Sequence, residues 1–232
     1  MRFLLIFSII LTFSFFPLKV EGADHSDLES RLQHVQTIKS TQDNGKLTYS
    51  FTQVNTEIYN DRGTGSHSDV SIWYIRDFLP GWKSAGYFAQ GSYNNPTGFV
   101  MGLKAEDVPG AAPILTDPID FQFIWNDSGS GGQNDGSIWR PICKAGYVSL
   151  GSVATNHYSK PSLSSITCVR QDFTVEVNVG DLIWNDSGSG ANSDVALYQI
   201  KSNLPYVLTS GSFYAQNNYS APVGPVYGLR VQ

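Results

Sequence analysis

Aspartates recur in pairs, eight residues apart, at three places in the chain. Ile58-Tyr59-Asn60-Asp61-Arg62-Gly63-Thr64-Gly65 leads to Asp69-Val70-Ser71-Ile72-Trp73. Ile124-Trp125-Asn126-Asp127-Ser128-Gly129-Ser130-Gly131 leads to Asp135-Gly136-Ser137-Ile138-Trp139, and Ile183-Trp184-Asn185-Asp186-Ser187-Gly188-Ser189-Gly190 to Asp194-Val195-Ala196-Leu197-Tyr198. Glycines between the carboxylates permit positive φ and close backbone approach, so each segment reads as a hairpin loop with an aspartate near each end. Two like charges there need compensation. Loop amides can donate to each carboxylate, as in an Asx turn. A hard cation such as Ca²⁺ can bind the oxygens, although the loops offer few acidic ligands and match no established calcium loop. A sugar can donate its hydroxyls to aspartate, with glycine leaving room and Trp73, Trp125, Trp139 or Trp184 stacking on its face. The ligand-binding candidates are therefore Asp61, Asp69, Asp127, Asp135, Asp186 and Asp194.

Trp82 joins them. It has no counterpart in the other copies and lies in a longer loop of the first, around Asp77 to Lys83. Trp125, Trp139 and Trp184 recur at fixed strand positions, which favours core packing. Tyr93, Tyr158, Tyr214 and Tyr219 sit near Asn- and Ser-rich turns, where they can line a ligand surface or cover loop ends. Asn126, Asn185 and Asn218 each begin an Asn-x-Ser glycosylation pattern, and a glycan on either of the first two would obstruct its loop.

Catalysis finds little support. His25, His34, His67 and His157 have no recurrent partner and no metal-ligand spacing. The Gly-Ser loops lack the strand–turn–helix setting of a nucleophilic serine elbow. Repeated loops suit multivalent binding better than one asymmetric catalytic centre. No cofactor is expected.

The elements that hold these loops read as strands. Phe173, Val175, Val177 and Val179 alternate with Thr174, Glu176 and Asn178, placing the apolar set on one face. In the third copy the expected strands are Phe173 to Trp184, Asp194 to Ile200, Tyr206 to Tyr214, and Val226 to Val231. Downstream of the hairpins, Gly86 to Gly91 aligns with Gly146 to Gly151 and with Tyr206 to Gly211. Four-stranded units cannot bury their apolar faces singly, and a closed threefold arrangement buries them together. The expected fold is all-β: a β-prism of three four-stranded antiparallel sheets related by a pseudo-threefold axis. The repeats run over about 46–110, 111–171 and 172–232 of a single domain spanning 46–232.

Ahead of that domain, Met1 to Gly22 reads as a secretory signal peptide. Arg2 precedes an apolar run, Phe3 to Phe16, that is short for a membrane span. An N-terminal segment, 23–45, follows, and Asp27 to Gln36 there resembles a short helix capped by Ser26. No later segment is long and apolar enough to span a bilayer. Cys143 and Cys168, the only cysteines, are expected to form a disulfide in an oxidising compartment.

The whole chain of 232 residues is 41% hydrophobic and 15% charged, which excludes a disordered polyampholyte. Its 22 Gly and 11 Pro punctuate short apolar segments without a collagen period. Removing Arg2, Lys19 and Glu21 from 15 basic and 20 acidic residues leaves 13 and 19, a net charge of −6. With no basic run, neither nucleic acid nor an anionic membrane surface is an expected partner.

Further runs resemble a known family. Gly86-Tyr87-Phe88-Ala89-Gln90 with Gly98-Phe99-Val100, and the run from Lys160-Pro161-Ser162-Leu163 to Cys168-Val169-Arg170, are similar to the vacuolar protein sorting-associated protein 62 family. Ile138-Trp139-Arg140-Pro141 and Gly146-Tyr147-Val148-Ser149-Leu150-Gly151 extend the resemblance. It is close from Thr56 to Trp184 and looser through the third copy. The resemblance implies β-prism modules of the kind found in membrane-trafficking proteins, and recognition without catalysis. Longer members carry a C-terminal half with a His-x-x-Asp-Trp-Glu-like segment, absent from these residues, so no activity of that half is carried over. The combined expectation is a secreted, extracellular or secretory-pathway, non-enzymatic binding protein that takes a glycan or other cell-surface ligand through up to three related loops. The alternatives are a protein-binding or peripheral membrane module and a defence or toxin-like protein.

Overall fold

The structure, a computed structural model, describes residues 36–39 and 45–231. The signal-peptide reading, and the helical reading apart from Gln36, lie outside the described residues. Gln36 begins a strand.

A strand of the N-terminal segment, β1 (Gln36–Lys39), precedes the first copy, whose strands are β2 (Lys46–Gln53), β3 (Thr56–Asn60), β4 (Ser71–Tyr74), β5 (Lys83–Ser84), β6 (Phe88–Gln90) and β7 (Phe99–Glu106). The second copy contributes β8 (Leu115–Thr116), β9 (Asp120–Asn126), β10 (Ser137–Ile142), β11 (Tyr147–Ser149), β12 (Val153–Thr155) and β13 (Cys168–Arg170). The third holds β14 (Thr174–Asn185), β15 (Ala196–Lys201), β16 (Val207–Leu208), β17 (Phe213–Gln216) and β18 (Val226–Arg230). The fold is all-β, with antiparallel pairing throughout.

Three sheets of four strands were expected; among the described residues there are five sheets, of four, three, three, five and three strands. Each copy folds as two halves. The half that carries the aspartate hairpin is β3-β4-β6, β9-β10-β12 or the C-terminal part of β14 with β15 and β17. The other half is β2-β7-β5 extended by β1, or β8-β13-β11, or the start of β14 with β18 and β16. The leading strand breaks at Val54-Asn55 in the first copy and around Pro118 in the second, where a proline cannot donate to a ladder. In the third copy β14 runs through both halves and fuses them into the five-stranded sheet.

The strand expected over Tyr206 to Tyr214 is likewise two pieces, because Gly211, at φ 77°, turns the chain from one half to the other. The sheet register also corrects the downstream alignment of the copies. Ala89, Ala154 and Ala215 lie opposite Ile72, Ile138 and Leu197, so Gly86 corresponds to Gly151 and Ser212. Those three positions meet where the copies converge: a Cβ on Gly86 or Gly151 would fall 2.3 or 2.0 Å from Ser212 Oγ. Ser210, two residues earlier, ties the copies together. Its hydroxyl donates to the Leu150 carbonyl at 2.6 Å and its own carbonyl accepts the Met101 N–H at 2.8 Å.

The core has two principal parts. Around the hairpin halves it holds Ile72, Ile138, Leu197, Phe213, Trp125 and Trp184, and around the other halves Leu47, Leu103, Ile114, Leu150, Val169 and Leu229. Trp139 is also buried, as its fixed strand position suggested. Cys143 and Cys168 are disulfide-bonded across a sequence separation of 25. A loop of that length contributes on the order of 3 kcal/mol in the chain-entropy account.

Candidate functional site

The two aspartates of each pair have different fates. Asp61, Asp127 and Asp186 are 2%, 3% and 2% exposed, whereas Asp69, Asp135 and Asp194 face solvent. Burial of the first member follows from the loop itself. Its Oδ1 accepts the N–H of the residue nine positions on: Val70 at 2.9 Å, Gly136 at 3.0 Å and Val195 at 2.8 Å. The preceding asparagines, Asn60, Asn126 and Asn185, accept the N–H of Arg62, Ser128 and Ser187 through their side chains, an Asx turn that starts each loop.

In two of the three copies the remaining oxygen of the inner aspartate is approached from a different copy. Trp184 Nε1 donates to Asp61 Oδ2 at 3.1 Å, and Trp125 Nε1 to Asp186 Oδ2 at 3.0 Å. A strand bulge in each copy turns these rings inward, and they pack edge to face, Tyr59 on Trp125 and Trp125 on Trp184, with centroids 5.8 and 5.9 Å apart. Tyr59 holds the third position, and its buried hydroxyl has no partner among the described residues. Gly136 stands where the other copies have Val70 and Val195, because a Cβ there would lie 2.1 Å from the Tyr59 ring. Burial first, then the charge of Asp127, pushes the Tyr59 hydroxyl far above its ordinary value. Burial also raises the Asp127 carboxyl, opposed by the Gly136 amide and the Tyr158 hydroxyl.

The loops then join in a ring. The His67 N–H donates to the Ser187 carbonyl at 2.9 Å, Gln133 to Arg62 at 2.8 Å, and Asn192 to Ser128 at 2.8 Å. Each donor lies six residues after its inner aspartate and each acceptor one residue after another copy's, so the three bonds close head to tail. Gly65 and Gly188 touch at this joint: a Cβ on Gly65 would meet the Gly188 carbonyl at 2.6 Å. The hairpins thus form one shared surface instead of three separate corners.

On that surface a tyrosine caps each aspartate pair. Tyr158 donates to Asp135 Oδ1 at 3.0 Å, while Tyr93 and Tyr219 donate to Asp61 and Asp186 Oδ1, both at 2.7 Å. Burial, followed by the paired carboxylates, raises all three phenols well above their ordinary value. Tyr158 and Tyr219 are each 43% exposed. Tyr93 is covered further, because the Arg62 guanidinium lies 4.2 Å over its ring.

The sequence named these tyrosines as turn residues without pairing them to the aspartates. The available signal was their spacing, each three residues past Gln90, Thr155 or Gln216, which are equivalent in the register. Trp82 lies apart from the hairpins, half-buried beside Phe78 against Gly102. Trp125, Trp139 and Trp184 have their indole N–H groups engaged inside the protein. Among the described residues no group of three or more His, Cys, Asp or Glu is placed to hold a metal ion.

No curated protein matches the chain. Among solved structures it resembles GNIP1Aa from Chromobacterium piscinae, at 26% identity and a TM-score of 0.64, over 78% of this chain and 37% of that one. The chain therefore spans well under half the length of that structure. Residues 36–221 match the family described as vacuolar protein sorting-associated protein 62, Vps62. With the repeated hairpins, the Lys160 to Arg170 run and that match over most of its length, the chain belongs to the Vps62 family.

Proposed function

We propose that the protein is a secreted, non-enzymatic β-prism that binds glycans at the end of the molecule where its hairpins meet. The observation that carries this reading is an exposed aspartate beside a tyrosine, repeated three times on one surface. Aspartate accepts sugar hydroxyls, and an exposed tyrosine ring offers an apolar face. The inner aspartates serve closure and leave binding to Asp69, Asp135 and Asp194. Membership of the Vps62 family and the likeness to GNIP1Aa are compatible with a binding role, and the disulfide fits an oxidising compartment.

On this reading a glycan array probed with the labelled chain gives discrete hits. Asp135→Asn with Tyr158→Ala lowers the response at least about tenfold, the scale of a lost charge-assisted hydrogen bond and its stacking face. Thermal stability should change little, since both residues are exposed. Undiminished binding in a folded variant altered at all three outer aspartates would remove the hairpin end from consideration.

A protein or membrane partner is the second reading. Ile119 (60% exposed) and Ile142 (40% exposed) lie side by side, with the Ile119 N–H bonded to the Ile142 carbonyl. Binding to liposomes or protein that survives competing sugars and falls in Ile119→Ser favours it.

A further inference from the structure

We propose that the seam between the second and third copies binds a small anionic ring compound, of the uronic acid type, in a pocket built around Arg140. The pocket, of about 200 Å³, lies at the end of β10 away from the hairpin and is bounded by β11 on one side and β17 and β18 on the other. Tyr147, Tyr214 and Tyr227 line it with flat rings beside Pro225, and Cys143 of the disulfide borders it. Pockets for drug-sized ligands run to roughly 300–1,000 Å³, so this one suits a single ring.

Its charge is the informative feature. Among the described residues Arg140 is the one ionic group in the lining, and no Asp or Glu reaches it, in a chain whose net charge is −5. The guanidinium is held in place: it lies 4.7 Å over the Tyr214 ring, Nη2 donates to the Ala215 carbonyl at 2.5 Å, and Nη1 donates to Gln122 at 3.4 Å. Nε is buried without a partner among the described residues. A guanidinium carries five N–H donors, so N–H groups remain for a carboxylate, whose two oxygens match the planar fork. Lys144, 4.6 Å over the Tyr147 ring, adds a second cation nearby. The equivalent positions in the other copies carry no charge, since the register places Tyr74 and Gln199 there. Loop repetition therefore does not produce this site; one substitution in one copy does.

The test is a titration of the intact, disulfide-bonded chain with sodium glucuronate, methyl glucoside and sodium acetate, followed by NMR of assigned tyrosine ring signals. Glucuronate should move Tyr214 and Tyr227, with the neutral sugar and acetate at least about tenfold weaker. Arg140→Gln should weaken glucuronate at least about tenfold, and Asp135→Asn should leave it unchanged. If Arg140→Gln does not fold, Tyr227→Ala should weaken binding several-fold through loss of a ring face. Equal binding of glucuronate and the glucoside, or unchanged affinity in the folded variants, overturns the proposal. Shifts confined to Tyr158 and Tyr219 would also overturn it, while supporting a sugar site on the hairpin end.

Discussion

Replacing Asp186 by Asn is expected to destabilise the protein by about 2 kcal/mol at neutral pH, while Asp127→Asn should change it by less than about 1 kcal/mol. The side chains are equivalent by sequence and differ in what faces them. Besides the Tyr219 and Ser189 hydroxyls, which can rotate, Asp186 accepts from two N–H donors fixed in direction, the Val195 amide and the Trp125 indole. Asparagine has one acceptor oxygen, so its NH₂ must face one of those N–H groups. Two donors then confront each other in the core: the indole keeps its bond to the Ser193 carbonyl at 2.8 Å, but its charge-assisted bond to the carboxylate is lost. At Asp127 the Gly136 amide supplies one donor, but Tyr59 stands where the others have tryptophan. The side-chain amide introduced by Asp127→Asn can accept from Gly136, and its NH₂ meets no indole N–H there. Equilibrium urea unfolding separates the two cases, and equal losses would contradict the assignment of Tyr59 as the gap in the ring.

The pH dependence has a definite sign. The Asp127 carboxyl is raised in the folded state, so the fold holds that proton more tightly than the unfolded chain does. Its contribution favours folding below the unfolded carboxyl value of about 4 and is lost as pH rises through the folded value. An amide does not titrate, so Asp127→Asn removes this loss. The variant should gain on the natural chain as pH rises from about 4 towards neutrality, and a constant difference would argue against burial of that charge.

Gly211→Ala should cost more than about 3 kcal/mol, by contrast with about 1 kcal/mol for Gly110→Ala. Both glycines have positive φ, 77° and 83°, so both substitutions strain the backbone. They differ in surroundings. A Cβ on Gly211 would lie 2.0 Å from the Phe99 carbonyl oxygen, whereas nothing approaches within 4 Å of Gly110. The obstacle at Gly211 is backbone from the first copy, and it cannot rotate aside. Relief requires moving the third copy away from the first, next to the Ser210 contacts that tie the copies together. Similar unfolding midpoints for the two variants would show that this seam yields easily.

Much of this was legible in the residues. The aspartate spacing placed all three hairpins, and the alternation of Val175, Val177 and Val179 placed the leading strand of the third copy. The disulfide followed from the two cysteines of a chain read as exported, and the burial of Trp125, Trp139 and Trp184 from their recurrent strand positions. The fate of the inner aspartates did not. Trp125 lies 61 residues before the Asp186 it bonds, and Trp184 lies 123 residues after Asp61, so each donor comes from a different copy of the motif. The downstream alignment failed for another reason. Gly86 and Gly151 are glycines because Ser212 fills the space between them, and a position defined by a shared contact need not share a residue type. Arg140 was hidden in Ile138-Trp139-Arg140-Pro141, where no other copy has arginine.

The inner aspartates and their tryptophans lock three hairpins into one ring. Hydrogen exchange of the His67, Gln133 and Asn192 amides, together with the Trp125 and Trp184 indoles, tests it directly. The ring predicts that all five exchange slowly and through a common opening, and that Asp186→Asn speeds all of them together. Fast and independent exchange at the three amides, with the indoles still protected, would show three separate loops on a shared core and would contradict the claim.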